Sequence, residues 1–459
     1  MSVPQRSAPP IDELRKFYVG RSINEVPKPA VVLDKTKVKK HCDSLLKAIE
    51  ALGVEFRAHV KSHKTREGTQ LQAGETSKSV KLVASTIPEI EHLVPLVYEF
   101  QTAGRTVDIL YGIPLLRSQA QRLAAIARQI APSTISVLID HPAQLDHLVE
   151  FASSAGFPAG VFIKVDTGYH RAGLPPAGVN KDDLITRLIQ LEESGQADFI
   201  GLYSHSSLSY SGSTPEQAMR HLQGEIYGCL AALRQHSSSF GTDRELAISV
   251  GASPQVTSVE ALVGTDKLSD EAEHLRQIMH GISTNQHAGF RTKLELHAGV
   301  YSILDIQQLS TQCRGAILGE YEDEIAISVV AEVCSVYNDG ERNQPEALLA
   351  VGTLGLGREP CASRRGWGAI RRNGTKLGSN LENRLIIDRI SQEHCIIAWD
   401  KPSEDGMVSP IPLEVGDSVQ IFPNHACVTG ALYEWYLVVD SESEDDQNIV
   451  DVWIRASGW

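Results

Sequence analysis

The stretch TVDILYGIPLLRSQAQRLAAIARQIAPSTISVLID, residues 106–140, holds a strand, a helix and a second strand in the order that builds a parallel sheet. Its ends, TVDILYGI (106–113) and TISVLID (134–140), are short runs rich in β-branched residues. Between them, apolar residues recur at alternating steps of four and three, so they can share one face of a helix. These residues are Leu116, Ala120, Leu123, Ala127 and Ile130. The stretch therefore predicts one β-α-β unit.

The same alternation extends over about 250 residues, the usual length of a (β/α)8 barrel. Six further β-branched runs, with helical spacing between them, complete a set of eight. They are EFRAHVK (55–61), KLVAST (81–86), GVFIKVD (160–166), DFIGLYSH (198–205), LAISVGAS (246–253) and ELHAGVY (295–301). We predict an α/β fold with a (β/α)8 TIM-type barrel, and a doubly wound open sheet is the competing fold.

The pattern changes after about residue 315. Runs such as IAISVVAEVCSVY, SVQIFPNHACV and YEWYLVVD follow one another with little helical spacing between them. This predicts a C-terminal, mostly antiparallel β domain. We expect an N-terminal segment at 1–34, whose PAVVLD run (29–34) associates with the β domain, a barrel at 35–315 and the β domain at 316–459.

Charge and cysteine content narrow the classes of function. The 459 residues carry a net charge of −14, which disfavours binding to nucleic acid or to an anionic membrane. The basic stretch RAHVKSHKT (57–65) is then a local site, better suited to a small anion. Seven scattered cysteines without a CxxC pair favour a reducing compartment. We find no signal-like or membrane-spanning apolar run and expect a cytoplasmic protein.

Polar residues follow several of the predicted strands at their C-terminal ends, where barrels carry their chemistry. The first strand ends near Lys61, and Gly-containing turns, GASP and HAGVY, follow strands seven and eight. Barrels commonly hold a phosphate at those two turns. A lysine opposite a phosphate turn suits pyridoxal phosphate, which needs both a Schiff-base amine and an anchored phosphate.

Several motifs together resemble the D-serine dehydratase and D-threonine aldolase family of alanine-racemase-like, fold type III pyridoxal phosphate enzymes. They occur in that family's order over roughly residues 25–440. They are RAHVKSHKT, KVDTGYHRAG, GLYSHSSLSY, SVGASP, HAGVY, SQEH and FPNHAC. The resemblance implies a homodimer that acts on a small amino acid.

The resemblance implies that Lys61 is the Schiff-base lysine. Strand alternation favours it, because His59, Lys61 and His63 would share one face while Lys64 would point away. A solvated basic turn is the alternative. The resemblance also implies that Arg171 binds the substrate carboxylate, for which a guanidinium fork is suited. The alternative for Arg171 is a salt bridge to a carboxylate at the rim.

The remaining cofactor contacts also come from the resemblance. Tyr203 and Tyr210 would line the cofactor site, with simple packing as the alternative. Gly251 and Ser253 would form the phosphate turn, with Gly299 and Tyr301 as further candidates. His205 would pack on the cofactor ring or be a core histidine. His297 stands where the racemase branch has an arginine facing the pyridine nitrogen, and its role is left open.

The motif FPNHAC contains His425 and Cys427, which on a strand would face the same side and could meet one metal ion. A half-buried histidine beside a core cysteine is the alternative. The resemblance implies a divalent metal here, and the thiolate favours Zn²⁺, whereas aldolase-like members tend to carry Asp at this position.

The resemblance therefore implies a D-serine dehydratase, an ammonia-lyase that converts D-serine to pyruvate and ammonia with pyridoxal phosphate and Zn²⁺. D-threonine is a second candidate substrate. The alternatives are a metal-dependent D-threonine aldolase and, more remotely, an amino-acid racemase or a non-catalytic pyridoxal phosphate carrier.

Overall fold

The computed structural model describes residues 9–240, 244–264, 267–284, 290–314, 319–371, 383–401 and 409–459. The chain divides into two compact units. One contains the described residues of Met1–His41, Ser302–Ser310 and Ala316–Ser457, and the other those of Cys42–Tyr301, Thr311–Gly315 and Gly458–Trp459. In the described residues, no helix is long and apolar enough to cross a membrane.

The strands are numbered along the chain. They are β1 Ala30–Asp34, β2 Glu55–His59, β3 Ser79–Ala84, β4 Thr106–Pro114, β5 Thr134–Ile139, β6 Gly160–Val165, β7 Asp198–Ser204, β8 Glu245–Val250, β9 Arg291–Ala298, β10 Ile327–Tyr337, β11 Glu346–Leu349, β12 Gly368–Ile370, β13 Leu385–Ile390, β14 Cys395–Trp399, β15 Ser418–Pro423, β16 Trp435–Val439 and β17 Asp451–Ile454.

The α-helices are numbered in the same way. They are α1 Ile11–Tyr18, α2 Lys35–Leu52, α3 Arg66–Ala73, α4 Ile87–Thr102, α5 Arg117–Ile130, α6 Gln144–Ala155, α7 Leu184–Glu193, α8 Pro215–Gln235, α9 Ser237–Phe240, α10 Ser253–Ser258, α11 Asp270–Thr284, α12 Ile306–Ser310, α13 Tyr321–Glu324, α14 Thr353–Leu356 and α15 Ala426–Gly430.

The predicted barrel is confirmed. Within the described part of the chain, β2 to β9 pair in sequence order and close into a barrel, and each of these eight strands overlaps one predicted run. All eight pairings are parallel, and the closing pair joins β9 to β2 with Glu55 opposite Glu295. Closure excludes the open-sheet alternative.

Helix α5 shows how the sequence pattern forms the barrel's outer layer. Ala120, Leu123, Ala127 and Ile130 are buried, as their spacing predicts. Leu116 departs from the prediction: it is the residue before the helix, its backbone is extended, and 45% of it is exposed. The apolar face therefore begins one turn later than the sequence suggested.

The second unit is built on a sheet whose order among the described strands is β11-β14-β13-β12-β15-β10-β1-β16-β17. Its pairings are antiparallel except that of β1 with β16. The mostly antiparallel character predicted for this region is confirmed. Strand β1 lies inside the sheet, with Ala30 opposite Val330, because all five of its residues are buried and need neighbours on both sides.

A charged network occupies the barrel interior toward the N-terminal ends of the strands. Arg57 on β2 is fully buried and donates to both carboxylate oxygens of Glu295 on β9, at 2.7 and 3.1 Å. Its third contact is Asp108 on β4, at 2.6 Å. Lys81 on β3 approaches Glu295 to 2.9 Å. Every charge here has an opposite partner, as buried charges require.

Candidate active site

Lys61 projects from a turn rather than from a strand. Strand β2 ends at His59, and residues Val60–Ser62 form one turn of 3₁₀ helix. The strand-alternation argument for His59, Lys61 and His63 is therefore wrong beyond His59, because the backbone leaves the sheet there. The turn nonetheless places Lys61 at the C-terminal end of β2, on the mouth of the barrel.

The two neighbouring lysines have different partners. Lys64 has a positive φ of 55°, and its ammonium pairs at 2.8 Å with Glu89, a carboxylate that is 1% exposed. Lys61 is half-buried and makes no hydrogen bond or ion pair with any residue that the structure describes. The imidazoles of His59 and His205 lie near this ammonium. Burial lowers the pKa of both histidines, and the positive charge of Lys61 lowers it further.

His63 is a structural residue of the same turn. It is 1% exposed, its Nδ1 accepts the Thr65 backbone N–H at 3.1 Å, and its Nε2 bonds the Gln72 amide oxygen at 2.9 Å. A Cβ at Gly68 would come within 2.6 Å of the ring, so the first turn of α3 packs directly against it. The hydrogen bonds of both ring nitrogens thus stabilise the turn that carries Lys61.

The predicted phosphate turn lies at the ends of β8 and β9. Gly251 has φ +140°, and a Cβ there would come within 2.7 Å of the His297 carbonyl oxygen, so only glycine fits. The Ser253 hydroxyl accepts the backbone N–H groups of Gly299 and Tyr301, each at 3.3 Å. The structure therefore brings Gly251, Ser253 and Gly299 together, with backbone donors converging on one point.

His205 anchors this turn. Its Nδ1–H donates to the Gly251 carbonyl at 2.6 Å, and its ring lies 5.7 Å from that of His297. Tyr301, by contrast, is fully buried and packs edge-on against Phe56, so its side chain belongs to the core.

Tyr203 lies inside the barrel at the end of β7. It is 4% exposed, and its ring stacks on His297 with 4.2 Å between centroids and 5° between planes. The ammonium of Lys164 lies over the same ring, 4.8 Å from its centroid. Burial raises the pKa of the Tyr203 phenol above its usual range, which keeps it a neutral donor.

Sequence reasoning missed two buried titratable groups in this region, Lys164 and Glu225. Burial lowers the pKa of Lys164 to about 8, with Arg171 adding to the effect. Glu225 on α8 accepts the Ser206 backbone N–H and the Gln255 amide, and burial raises its pKa to about 7. A lysine within the apolar run GVFIKVD was a usable signal; a single acid in an amphipathic helix was not.

Arg171 and Tyr210 lie outside the strands. Arg171 is exposed, lies 5.5 Å from the Tyr169 ring centroid, and makes no ion pair with a described residue. The nearby carboxylate of Asp166 is used instead by His170, at 2.8 Å. The alternative of a rim salt bridge is thus not seen for Arg171. Tyr210 is half-buried in the 3₁₀ turn Leu208–Ser211.

His425 and Cys427 do not lie on a strand, which corrects the prediction. Strand β15 ends at Pro423, His425 is the residue before helix α15, and Cys427 is in its first turn. The two side chains nevertheless make contact. Burial acts to lower the pKa of His425, but its hydrogen bond to Cys427 and the nearby carboxylate of Asp305 raise it to about 9.

The donor set of this pair fits a soft divalent metal in part. An imidazole and a thiol in contact are two of the ligands that Zn²⁺ accepts. Within the described ranges, no group of three or more His, Cys, Asp or Glu side chains is arranged to hold a metal ion. Asp305 is committed to backbone N–H groups of Gln308 and Ala426, both at 2.8 Å.

The residues at the barrel mouth fit pyridoxal phosphate. The cofactor needs an amine that is not held in an ion pair, and Lys61 makes no ion pair with a residue in the described ranges. It needs a turn at which the backbone can approach the phosphate closely, and the glycine at 251 permits such an approach. It also carries a polar ring nitrogen, and His297 has a buried Nε2 without a partner among described residues.

Two known families match separate parts of the chain. Residues 33–263 match the family "Alanine racemase, N-terminal domain", and residues 326–439 match the "Putative serine dehydratase domain". The D-serine dehydratase of Schizosaccharomyces pombe is 32% identical over 452 residues, covering 98% of this chain and 96% of that protein. That of Saccharomyces cerevisiae is 28% identical over 463 residues, covering 96% and 98%.

The fold is shared with D-threo-3-hydroxyaspartate dehydratase from Delftia sp. HT23, with a TM-score of 0.70, 22% identity and coverage of 95% of this chain and 100% of that one. Variants of that enzyme replace a histidine and, two positions later, a cysteine by alanine, and the cysteine variant is in the metal-free form. Full-length similarity above 30% identity establishes the relationship: the chain belongs to the D-serine dehydratase family of alanine-racemase-like proteins.

Proposed function

We propose that this protein is a D-serine dehydratase, an ammonia-lyase that converts D-serine to pyruvate and ammonia with pyridoxal phosphate and Zn²⁺. The observation that carries the proposal is the Lys61 amine, which pairs with no described residue and lies on the same barrel mouth as the Gly251–Ser253 turn. Membership in a family whose relatives are named D-serine dehydratases over nearly their full length supports the same reaction.

The proposal assigns a role to each of the chain's own residues at the barrel mouth, and their positions support it. Lys61 Nζ holds the cofactor and then accepts the proton from the substrate's Cα. The Arg171 guanidinium, which has no ion pair with a described residue, binds the substrate carboxylate. Tyr203 and His297 stack to form one wall inside the barrel, and His205 holds the phosphate turn. When bound, pyridoxal phosphate supplies the sink for the electrons left on Cα.

Zinc is the second part of the proposal. His425 and Cys427 would bind it, and when bound it would supply Lewis-acid help for loss of the β-hydroxyl. Their contact supports this, as does the matching spacing of the histidine and cysteine replaced in the Delftia enzyme. Two protein ligands would leave positions for water and substrate.

We also propose a cytoplasmic homodimer. None of the seven cysteines forms a disulfide, which suits a reducing compartment. The dimer rests on resemblance to the family, and light scattering of the purified protein tests it. A monomer in the active preparation would reject it.

One assay tests the activity. Pyruvate release is measured from D-serine and L-serine, before and after a chelator, and products are identified from D-threonine. We expect pyruvate from D-serine only, lost on chelation and restored by Zn²⁺. Glycine and acetaldehyde from D-threonine, without 2-oxobutanoate, would establish the aldolase alternative instead.

The metal pair has its own variant test. Cys427→Ala should lose bound zinc and turnover while keeping the cofactor's absorbance band. Cys334→Ala, at an exposed cysteine on β10, is the matched control and should keep the metal content of the wild type. Full zinc content in Cys427→Ala would remove that residue from the metal site.

A further inference from the structure

Glu225 connects two segments of chain that border the predicted phosphate turn. Its side chain, on α8, is 2% exposed. One carboxyl oxygen, Oε1, accepts the backbone N–H of Ser206 at 3.0 Å and the side-chain amide N–H of Gln255 at 2.8 Å. Ser206 follows β7, and Gln255 lies on α10, which begins at Ser253. A single carboxyl therefore ties the end of β7 to α10.

Both of these segments hold the phosphate turn. His205, immediately before Ser206, bonds the carbonyl oxygen of Gly251 through its Nδ1 at 2.6 Å. At the other end, Ser253 belongs both to the turn and to the start of α10. The position of the turn thus depends on the two segments that Glu225 joins.

Two oxygens of this arrangement have no partner. They are Oε2 of Glu225 and the amide oxygen of Gln255, which are both buried and make no hydrogen bond within the part of the chain that the structure describes. The backbone N–H of Ser206 can only donate, so it fixes Oε1 of Glu225 as an acceptor. Gln255 must then turn its NH₂ group toward that oxygen, which leaves its own amide oxygen without a partner.

One proton would satisfy both oxygens. When the carboxyl is ionised, each of them is an acceptor, and two acceptors cannot bond each other. When the carboxyl is protonated at Oε2, it becomes a donor, and a carboxylic acid can pair with an amide through two hydrogen bonds. Burial raises the pKa of Glu225 to about 7, although its hydrogen bonds act to lower it. Burial thus favours the neutral acid that the two oxygens require.

The charged and titratable groups near Glu225 come from several elements. The ammonium of Lys164, on β6, acts to lower the pKa of the carboxyl. Tyr203 on β7 and Cys229 on α8 are buried, and burial raises the pKa of both, so they remain neutral. The groups nearer the surface on α8, α11 and the 3₁₀ turn packed against α8 are Arg220 paired with Glu271, Tyr227 paired with His274, and Tyr210. Burial and the charge of Lys164 therefore act on this carboxyl in opposite directions.

We propose that Glu225 carries a proton at Oε2 in the folded protein, donates it to the amide oxygen of Gln255, and thereby holds the phosphate turn in place. Glu225 is then a positioning residue, which acts on the cofactor through His205 and Ser253. Loss of the proton leaves two buried acceptors without a donor, which weakens the connection between β7 and α10. The inference rests on the proposed cofactor and deepens the proposed function, because it makes retention of the cofactor's phosphate depend on pH.

Infrared spectroscopy of the purified full-length protein tests the proton directly. The carbonyl stretch of a carboxylic acid is separate from the bands of a carboxylate. The difference between wild type and Glu225→Gln should therefore show one carboxylic acid at about pH 6 that is lost as the pH rises to about 8. Absence of this band at both pH values overturns the inference, whether or not the cofactor is bound.

Cofactor retention tests the consequence for function. Glu225→Gln is the matched variant, because its amide places an N–H donor where the acid has its proton, and this donor does not titrate. Between about pH 6 and pH 8, the dissociation constant of pyridoxal phosphate should rise about tenfold more in the wild type than in Glu225→Gln, as for a shift of one pKa unit on binding. Titration of the cofactor itself is common to both proteins and cancels in this comparison.

Ser204→Ala is the control for another hydroxyl near the carboxyl. The Ser204 hydroxyl lies 3.0 Å from that of Thr167 and also acts to lower the pKa of Glu225. Ser204→Ala should keep the pH dependence of the wild type. If Ser204→Ala removed that dependence, the serine rather than Gln255 would be the partner of Oε2, and the acid–amide pair would be rejected.

The remaining failures are distinct. If Glu225→Gln bound the cofactor as weakly as Glu225→Met at both pH values, the turn would require a charged carboxylate, which contradicts the inference. If the wild type and all variants lacked the absorbance band of the bound cofactor, the proposed cofactor would be wrong. The infrared result would still decide whether Glu225 is protonated.

Discussion

The two ends of the barrel interior differ in how their polar groups are partnered. Toward the N-terminal ends of the strands, Arg57 is paired with Glu295 and Asp108, and Lys81 completes the network. At the C-terminal mouth, Lys61 and the Nε2 of His297 have no partner among described residues. Burying an uncompensated polar group is costly, so such a group in a polar site points to a partner supplied by a ligand or by water. The difference separates structural charges from functional ones.

The same contrast appears within four residues of chain. Lys64 pairs with the buried Glu89, while Lys61 pairs with nothing described. Resemblance to a family selected Lys61 at the level of sequence, but residue type alone gives no physical difference between the two lysines. The difference lies in their partners, so replacing each lysine should affect a different property of the protein.

The largest effect is expected at Lys61. Lys61→Ala should remove the visible band of the bound cofactor and lower turnover by about 10³-fold or more, because both the covalent anchor and the proton acceptor are lost. Absorbance spectroscopy and kcat measure the two losses, and chemical denaturation should show little change in stability.

Lys64→Ala is the matched control and should show the opposite result. The cofactor band should remain, while the free energy of unfolding falls by about 1–3 kcal/mol, because Glu89 loses its charged partner. If Lys64→Ala abolished the band and Lys61→Ala kept it, the assignment of the two lysines would be reversed.

Replacing Arg57 in the paired network should affect the free energy of unfolding more than the catalytic turnover. Arg57→Met leaves Glu295 and Asp108 without their main counter-charge and should lower the free energy of unfolding by about 3–5 kcal/mol. Arg122→Met, which removes a half-buried pair with Glu91 on the outer helices, should cost about 1 kcal/mol or less. Equal losses in urea unfolding would show that the interior network has no special role.

Protonation of Glu225 should make the free energy of unfolding depend on pH. Burial raises its pKa from 4.5 to about 7, so between these values the native state keeps a proton that the unfolded chain releases. Stability should therefore fall as pH rises through this window, by an amount on the order of 3 kcal/mol. Urea unfolding at several pH values should show a shallower fall in Glu225→Gln. Identical pH profiles would mean that Glu225 is not protonated in the native state.

The smallest effect is expected at the exposed rim. Arg171→Ala should raise KM for D-serine about tenfold with the cofactor band unchanged, because one charged hydrogen-bonding partner of the carboxylate is lost. Arg187→Ala, at an exposed arginine on α7, should leave KM unchanged. Weakened cofactor retention with unchanged KM would move Arg171 from the substrate to the cofactor.

The barrel itself was predictable because the spacing of apolar residues along a strand or helix shows which of its side chains are buried. Each of the eight β-branched runs overlaps one barrel strand, and the buried positions of α5 follow its apolar spacing. Local geometry at the sites was less predictable. The predictions assumed that side chains alternate as on a strand beyond His59 and through His425, but the backbone has already left the sheet at both places. A motif of a few residues does not show where hydrogen bonding to the neighbouring strand stops.

Sequence alone determined the barrel, the β unit, the family and the lysine and glycine turns that mark the mouth, because these depend on periodicity and on residue types in a fixed order. Only the tertiary structure showed the Glu89 partner of Lys64, revealed Lys164 and Glu225, and left a buried nitrogen of His297 without a partner among the described residues. Those properties depend on which distant groups lie within hydrogen-bonding distance and are shielded from water. Strands β2, β6, β8 and β9 bring these groups together only when the barrel closes.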